Sequence, residues 1–522
     1  MTDPEKAPLL AGDRLSDCTE IRAVHSISHK KDVGTVPLST SRRTIYIVVA
    51  LFLIKTSIFA GFASQRYWSL DNASSPKDVC LQPTPQGQPS KWLDLYNQSG
   101  FARESAERLA GAVKIPTQSF DDMGHLDVVP AITSLDRWTY PPFEGVIEEE
   151  WIYGRGTSDC KNNVIGILTA LEYMLSNGWK PARTIVAAFG MDEEVGGERG
   201  ATSINDFLEK RYGHHGIAMI VDEGGMGIET LYGTQFALPG MAEKGYGNFM
   251  IQVDMAGGHS SIPSKHTSIG ILSKIISEIE DQDLFEPDMR QTSPMWGYMQ
   301  CVATHGKQGV PHWITDAVRA KRPDLAKVGV EFANISPANR YLIQTSKAAT
   351  VITGGNKVNA LPESALVTIN SRIDLYSDVA EVSEAYLTII RKIANTYSLS
   401  IQGENLNHDE YSIGNISLAV NQPGPPSPIT PTDSSAFEVF AKAVQAAFGN
   451  DVITAPSSMT GNTDTRHYVD LTQHIYRWSP SRIGTRLFAH TVDEKIKIQT
   501  HVDAIRFYTE LMVQADAVGS EL

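Results

Sequence analysis

The chain has 522 residues, and 45 Lys and Arg against 60 Asp and Glu leave a formal charge of −15. With 42% hydrophobic and 20% charged residues the composition is that of a folded globular protein of two or three domains, which excludes a disordered or fibrous chain. The acidic balance argues against a nucleic-acid partner, and four cysteines are too few for a disulfide framework.

In chain order, residues 1–43 are polar, with few aromatics, and read as a disordered cytoplasmic tail. Within it Glu5-Lys6-Ala7-Pro8-Leu9-Leu10 resembles an acidic dileucine sorting signal for lysosomes or vacuoles. Residues 44–63 are the strongly apolar stretch of membrane length, since about twenty helical residues span the bilayer core. Lys30, Lys31, Arg42 and Arg43 precede it and only Arg66 and Lys77 follow closely, so the positive-inside rule predicts a single-pass signal anchor with everything after it lumenal. Lys55 near mid-span costs roughly 2.5–3.5 kcal/mol on insertion scales unless it snorkels. Gly61-Phe62-Ala63 keeps a cleaved signal peptide as the alternative. Residues 64–90 read as a stalk. The glycosylation sequons at Asn72, Asn97, Asn334 and Asn415 all lie beyond the span. Of the lumenal Cys80, Cys160 and Cys301, the odd number leaves at least one thiol without an intrachain disulfide.

The remainder reads as an α/β ectodomain with a largely parallel sheet, in two parts, 91–244 and 426–522, interrupted by a smaller α+β domain at 245–425. The run 164–178 places Val164, Ile167, Leu168, Leu171 and Leu175 on one helical face, and Gly178 and Pro181 stop it. The short apolar runs 184–190 and 217–221 predict buried strands. Beyond residue 245, 248–254 and 365–374 alternate as half-exposed strands and 267–279 and 379–394 read as helices. Prolines 423, 425, 426, 428 and 431 make a stiff connector, followed by a helix with Phe437, Phe440, Ala441 and Val444 on one face.

Carboxylates and histidines recur at the predicted strand and loop ends, where open α/β sheets bind ligands. His125 and Asp127, two apart on a strand, share a face, so the first can bind a metal while the second orients its ring. Asp159 follows the glycine-rich turn Gly154-Arg155-Gly156 and can bridge two metals. Asp192-Glu193-Glu194 leaves the predicted strand 184–190; three adjacent acids repel one another unless a cation joins them. Asp222-Glu223 ends the next apolar run, and His490 lies ahead of the last helix.

These motifs resemble the aminoacylase/carboxypeptidase S family of dinuclear zinc peptidases. The matching stretches are HLDVVP, WIYGRGTSDCKNN, RTIVAAFGMDEEVGG, IVDEGG, GGHSSIPSKHTSIGIL, NKVNALPE, GNTDTRHY and HTVDEK, from about residue 91 to 515. The resemblance implies a catalytic domain in two parts with an inserted lid or dimerisation domain, and two Zn2+ per chain. Asp159 would bridge the ions, His125 and Asp222 would complete one site, and Glu194 and His490 the other. Glu193 would be the general base, and Asp127 would partner His125. His259 would stabilise the oxyanion, and Asn359, Arg372 and Gly461 would hold the substrate carboxylate, a task that suits the planar guanidinium. The implied activity is release of the C-terminal residue from short peptides of the Gly-Xaa type in the vacuole lumen, possible as a homodimer. The alternative is hydrolysis or synthesis of N-acyl amino acids. One departure stands out: 115–124 does not read as a buried strand leading into His125, and SFDDMG abuts HLDVVP as though an internal segment were deleted. A chain inactivated by that loss is the third reading, because losing a central strand leaves unpaired backbone groups and a gap in the core.

Overall fold

The structure is a computed structural model and describes residues 79–522 apart from 85, 119–127, 132–134, 404–411 and 520–521. The predicted tail, the anchor at 44–63, Asn72, His125 and Asp127 lie outside the described residues. None of the described helices is long and apolar enough to cross a membrane.

The larger part of the ectodomain is built on helices Phe101–Val113, Lys161–Ser176, Ser435–Phe448 and Ile498–Ala517, which pack on one another. Phe437, Phe440, Ala441 and Val444 all point into this core, as their spacing predicts. Phe440 and Phe507 meet Trp478 edge-on at 5.4 and 4.6 Å between ring centroids. The sheet beneath is mixed rather than largely parallel. Strand Ile220–Asp222 runs parallel to Ile475–Arg477, which contacts Gly240–Glu243 in antiparallel fashion, and Ser457–Met459 adds in parallel. An all-antiparallel sheet of Val146–Glu148, Trp151–Tyr153, Lys495–Lys497 and Arg486–Leu487 brings the 488–494 loop against the glycine-rich turn at 154–159.

Residues 245–424 form a five-stranded sheet with Gly245–Met255 at its centre, between Gly414–Gly424 and Ser364–Ile373. Phe249, Ile251 and Val253 alternate with less buried neighbours, and Val367 and Ile369 do the same across the ladder. Helices Ser268–Asp281 and Val379–Tyr397 cover that buried face. The edge strand Ala348–Gly354 is exposed along its whole length. Cys80 and Cys301 are joined in a disulfide across a sequence separation of 221, tying the start of the ectodomain to helix Pro294–His305. Cys160 is in no disulfide.

Two expectations fail together. The run 184–190 is not a buried strand. It pairs with no strand, and none of its backbone N–H or C=O groups is hydrogen-bonded among the described residues. Val186 and Phe189 are 46% and 41% exposed. The apolar stripe of the preceding helix is also left partly open: Leu168 and Leu175 are exposed, while Asn162, Asn163, Gly166, Thr169, Ala170 and Met174 are the buried positions of helix Lys161–Ser176. Between the run and this helix lies a cavity of about 450 Å3 lined by Ile167, Leu171, Ile185, Leu208, Leu511 and Met512, among others. A strand exists only through its ladder, and an apolar helical stripe is buried only by what packs on it; both lack a neighbour here. The second predicted strand is shorter than expected, Ile220–Asp222, and half-buried.

Candidate metal centre

Asp159 sits at the end of the glycine-rich turn, immediately before helix Lys161–Ser176. The turn is held by a carboxylate that motif reasoning did not single out. Glu494, fully buried, accepts hydrogen bonds from the backbone N–H groups of Gly156, Ser158 and Asp159 at 3.0, 2.8 and 2.9 Å, and from Arg155 Nη1 at 2.6 Å. Both partners of this ion pair are almost inaccessible, with side chains 4% and 0% exposed. Glu193 and Glu194 open a short turn, Glu193–Val195. Upstream, Asp192 accepts from the N–H groups of Arg199 and Gly200 at 2.8 Å each, which caps helix Gly200–Tyr212. Downstream, Gly196 O accepts from Arg466 Nη2 and lies 2.9 Å from His467 Nε2. The turn carrying the adjacent glutamates is therefore pinned on both sides.

Across from it, Nε2 of His490 lies 3.0 Å from Oδ2 of Asp159 and 3.2 Å from Oε1 of Glu194. His490, Phe488 and Asp493 all have φ near +60°, an unusual conformation for residues with a Cβ and one that collects at functional loops. One oxygen or nitrogen each from Asp159, Glu194 and His490 can converge on a single point. Asp159 is also shared with a second group, Asp159, Cys160 and Glu223. Asp222 is in neither group: it is half-buried, its Oδ1 accepts from the Glu223 N–H at 2.8 Å, and its inaccessible Oδ2 has no hydrogen-bond partner among the described residues.

The electrostatics are those of a pocket short of positive charge. Burial first, then the carboxylates of Glu194, Asp464, Asp159 and Asp222, push Glu193 up to about 9. Burial and the neighbouring acids likewise raise Glu223 well above the ordinary carboxyl range. Hydrogen bonds to Asp159 and Glu194 raise His490 to about 10. Burial opposes ionisation of Asp159, but His490 and Arg486 outweigh it and hold that carboxyl below its usual value. Protons are retained where a cation would relieve the repulsion, and the imidazole and carboxylate donors are those a zinc-like ion accepts. The residues fit a divalent metal.

The remaining predicted site residues form two separate pairs. His259 and Asn359 lie side by side on an exposed two-stranded ribbon, where His259 pairs with Ala360 and the Ser260 N–H donates to Asn359 O at 3.2 Å. Arg372 donates to Asn462 Oδ1 at 2.8 Å, next to Gly461, and its guanidinium lies 5.6 Å from the Tyr246 ring centroid. None of these four makes a hydrogen bond to the Asp159, Glu194 and His490 group among the described residues. Of the sequons, Asn97 and Asn334 are exposed, whereas Asn415 lies half-buried in a paired strand.

Residues 123–514 match the peptidase family M20/M25/M40. The chain is 38% identical over 407 residues to an uncharacterized carboxypeptidase of Schizosaccharomyces pombe, covering 76% of this chain and 67% of that one. It is 37% identical over 412 residues to carboxypeptidase S of Saccharomyces cerevisiae, covering 76% and 71%. It is 33% identical over 401 residues to an N-fatty-acyl-amino acid synthase/hydrolase of Mus musculus, covering 76% and 73%. Among solved structures, the di-peptidase Dug1p of Saccharomyces cerevisiae superposes with a TM-score of 0.55 at 12% identity, over 83% of this chain and 98% of that one, a likeness of fold. The paired acid and histidine ligands, the fold and these identities agree: the chain belongs to the M20 peptidase family, whose members are typically metal-dependent.

Proposed function

We propose that the protein is a zinc-dependent carboxypeptidase that hydrolyses the C-terminal peptide bond of short peptides, Gly-Xaa peptides among them, with two zinc ions per chain. The observation that carries this reading is the convergence of Asp159, Glu194 and His490 beside Glu193. The bound metal would polarise the scissile carbonyl and acidify a water. Glu193, beside Glu194, which would hold the metal, but free to point elsewhere, would take a proton from an attacking water and deliver it to the leaving amine. Arg372, braced by Asn462, holds the substrate's terminal carboxylate, with Gly461 leaving room beside it. His259 and Asn359 close over the substrate from the two-stranded ribbon of the inserted domain, and the exposed edge Ala348–Gly354 of its five-stranded sheet supplies a surface for a homodimer. Asp222, His125 and Asp127 complete the site in this reading. Residues 44–63 anchor the protein with its catalytic part in the vacuole lumen, glycosylated at Asn97 and Asn334.

The test is Glu193→Gln on the full chain with a Gly-Leu substrate. Turnover falls by about 10²–10⁴ while bound zinc, measured by elemental analysis, stays at the wild-type level. A variant retaining most of its activity removes Glu193 from the mechanism. The identity to the mouse synthase/hydrolase and the 450 Å3 apolar cavity, which shares Ile167, Phe189, Tyr468 and Tyr508 with the carboxylate pocket, favour N-fatty-acyl amino acids as a second substrate class. Parallel assays with Gly-Leu and an oleoyl amino acid separate the two. The unpaired run 184–190 favours the third reading, an inactive chain; wild-type protein that is folded but binds no zinc establishes it.

A further inference from the structure

The turn that aims Glu193 has little support of its own. The run 184–190 leading into it forms no backbone hydrogen bond among the described residues, so no sheet fixes where the turn begins. Glu193, Glu194 and Val195 are only half-buried. The turn ends on Gly196 and Gly197, at φ of 111° and 69°, a region that residues with a Cβ rarely adopt. Beyond the hydrogen bonds of Asp192, the Gly196 carbonyl ties it to the rest of the chain.

Arg466 supplies that tie. Its Nη2 donates to Gly196 O, and a Cβ at Gly196 would stand 2.7 Å from Nη2, so only glycine lets the guanidinium this close. Arg466 Nε lies 3.1 Å from His467 Nε2. An arginine nitrogen can only donate, so that histidine nitrogen accepts and the carbonyl is left to the guanidinium. The Tyr246 ring backs the guanidinium with its centroid 5.8 Å away. The short turn Asp464–His467 that carries Arg466 rests in its turn on a buried ion pair, Arg477 with Glu243, at 3.2 Å and with both side chains 1% exposed. Arg477 Nε also donates to Thr465 Oγ1 at 2.8 Å, and Thr463 Oγ1 donates to Glu243 Oε1 at 2.6 Å. Two residues earlier in the same loop, Asn462 accepts from Arg372 and donates to Lys244 O, each at 2.8 Å.

We propose that Arg466 is a positioning residue: by holding the Gly196 carbonyl it sets where Glu193 points. Loop 461–467 then divides two tasks, Asn462 bracing the residue that binds substrate and Arg466 the residue that moves the proton. This rests on Glu193 acting as the base of the proposed function. The chain needs the clamp because an unpaired run cannot deliver the turn as a strand held in its ladder would. A misplacement of about 1 Å at a reacting group can cost about 10²-fold in rate.

Two measurements on the full chain test this. Amide hydrogen exchange in the protein as purified reads the turn directly. In Arg466→Met the segment 190–199 should exchange about 10–100-fold faster than in wild type, the size of a lost hydrogen bond to a charged group, while helix Ser435–Phe448 keeps its protection. Hydrolysis of Gly-Leu at saturating zinc reads the consequence: kcat should fall about 10²-fold with KM unchanged. Arg466→Lys, which keeps a charged donor, should recover part of both, and it decides the matter where the Met variant fails to fold. In a Glu193→Gln background Arg466→Met should cost nothing more in kcat, because a residue that acts through Glu193 has nothing left to position. Unchanged exchange at 190–199, a rise in KM in place of the fall in kcat, or a further loss in the double variant overturns the assignment. The exchange result decides it even in a chain that hydrolyses nothing. Its failure is therefore distinct from that of the proposed function, which falls if Glu193→Gln alone keeps its turnover.

Discussion

Replacing Glu494 by Gln tests whether the metal site is set by the turn beneath it. The carboxylate satisfies three backbone N–H groups and one guanidinium in a space closed to water. Gln keeps the shape and one acceptor oxygen but turns an amide donor toward either Arg155 or the turn, so at least one donor faces another. Removing one partner of a buried ion pair typically costs about 3–5 kcal/mol, because the other charge is left uncompensated. At about 2.1 cal/mol/K of unfolding entropy per residue, a chain of this size loses roughly 3–5 °C in melting temperature. The pair is not there for stability alone: burial raises the Glu494 carboxyl above its usual range despite Arg155, so ionisation is opposed rather than favoured. Its return is the position of Asp159. Glu494→Gln is therefore expected to weaken zinc binding by at least about 10-fold in addition to the thermal loss. Arg155→Met in the same chain should recover part of the melting temperature but not the zinc affinity. A Glu494→Gln protein that melts within a degree of wild type and binds zinc equally well refutes the argument.

Three further outcomes are expected. His501 is fully buried, neither ring nitrogen has a well-formed hydrogen bond, and burial lowers its pKa from 6.5 to about 4. The unfolded chain takes up this proton near pH 6.5 and the folded one does not until about 4, so stability falls as pH drops through that window, by about 1.4 kcal/mol per unit. The stability difference between His501→Leu and wild type should therefore widen by about 2 kcal/mol between pH 6.5 and 5; a constant difference in denaturant melts counts against it. Opening the Cys80–Cys301 bond, with its separation of 221 residues, should cost about 5 kcal/mol in the chain-entropy account. Melting that is indifferent to reductant, or to Cys80→Ser, contradicts that. Arg372→Ala should raise KM for Gly-Leu about 10–100-fold with little change in kcat, the size of a lost hydrogen bond to a charged group; equal discrimination between the peptide and its C-terminal amide before and after the change rules Arg372 out as the carboxylate anchor.

What could be read from the sequence divides along physical lines. The strands Gly245–Met255 and Ser364–Ile373 were legible because a sheet covered on one face writes a period of two into its residues. Asp159, Glu194 and His490 were legible only jointly, through motifs that resemble a known family, because acids and histidines taken singly serve as often as helix caps and solvated loop residues. Glu494 was not, although it stands four residues from His490: nothing local tells a carboxylate that its partners are the N–H groups of a turn 335 residues away. Arg466 and His467 were missed for the same reason, since their shared acceptor is the Gly196 carbonyl. Glu223 and Asp222 are adjacent acids, and only the backbone geometry at the end of strand Ile220–Asp222 decides which faces Asp159. The expectation for 184–190 failed because apolar, β-branched residues state a preference for a ladder without supplying the other strand. The suspected loss ahead of His125 is the sequence feature that anticipates this.

The open run 184–190 also bears on how the protein behaves in company with other chains. An extended apolar segment whose amides and carbonyls are unpaired among the described residues is a template for any passing strand, and such edges are where aggregation and strand exchange begin. The flanking residues work against that: Lys180 and Arg183 stand on one side and Asp192, Glu193 and Glu194 on the other, so two copies stacked in register would bring like charges together at both ends. The acids beside the candidate metal centre thus double as guards against self-association. Neutralising them, by acid or by Gln substitution, removes that guard, so self-association at low pH is expected to begin at this segment.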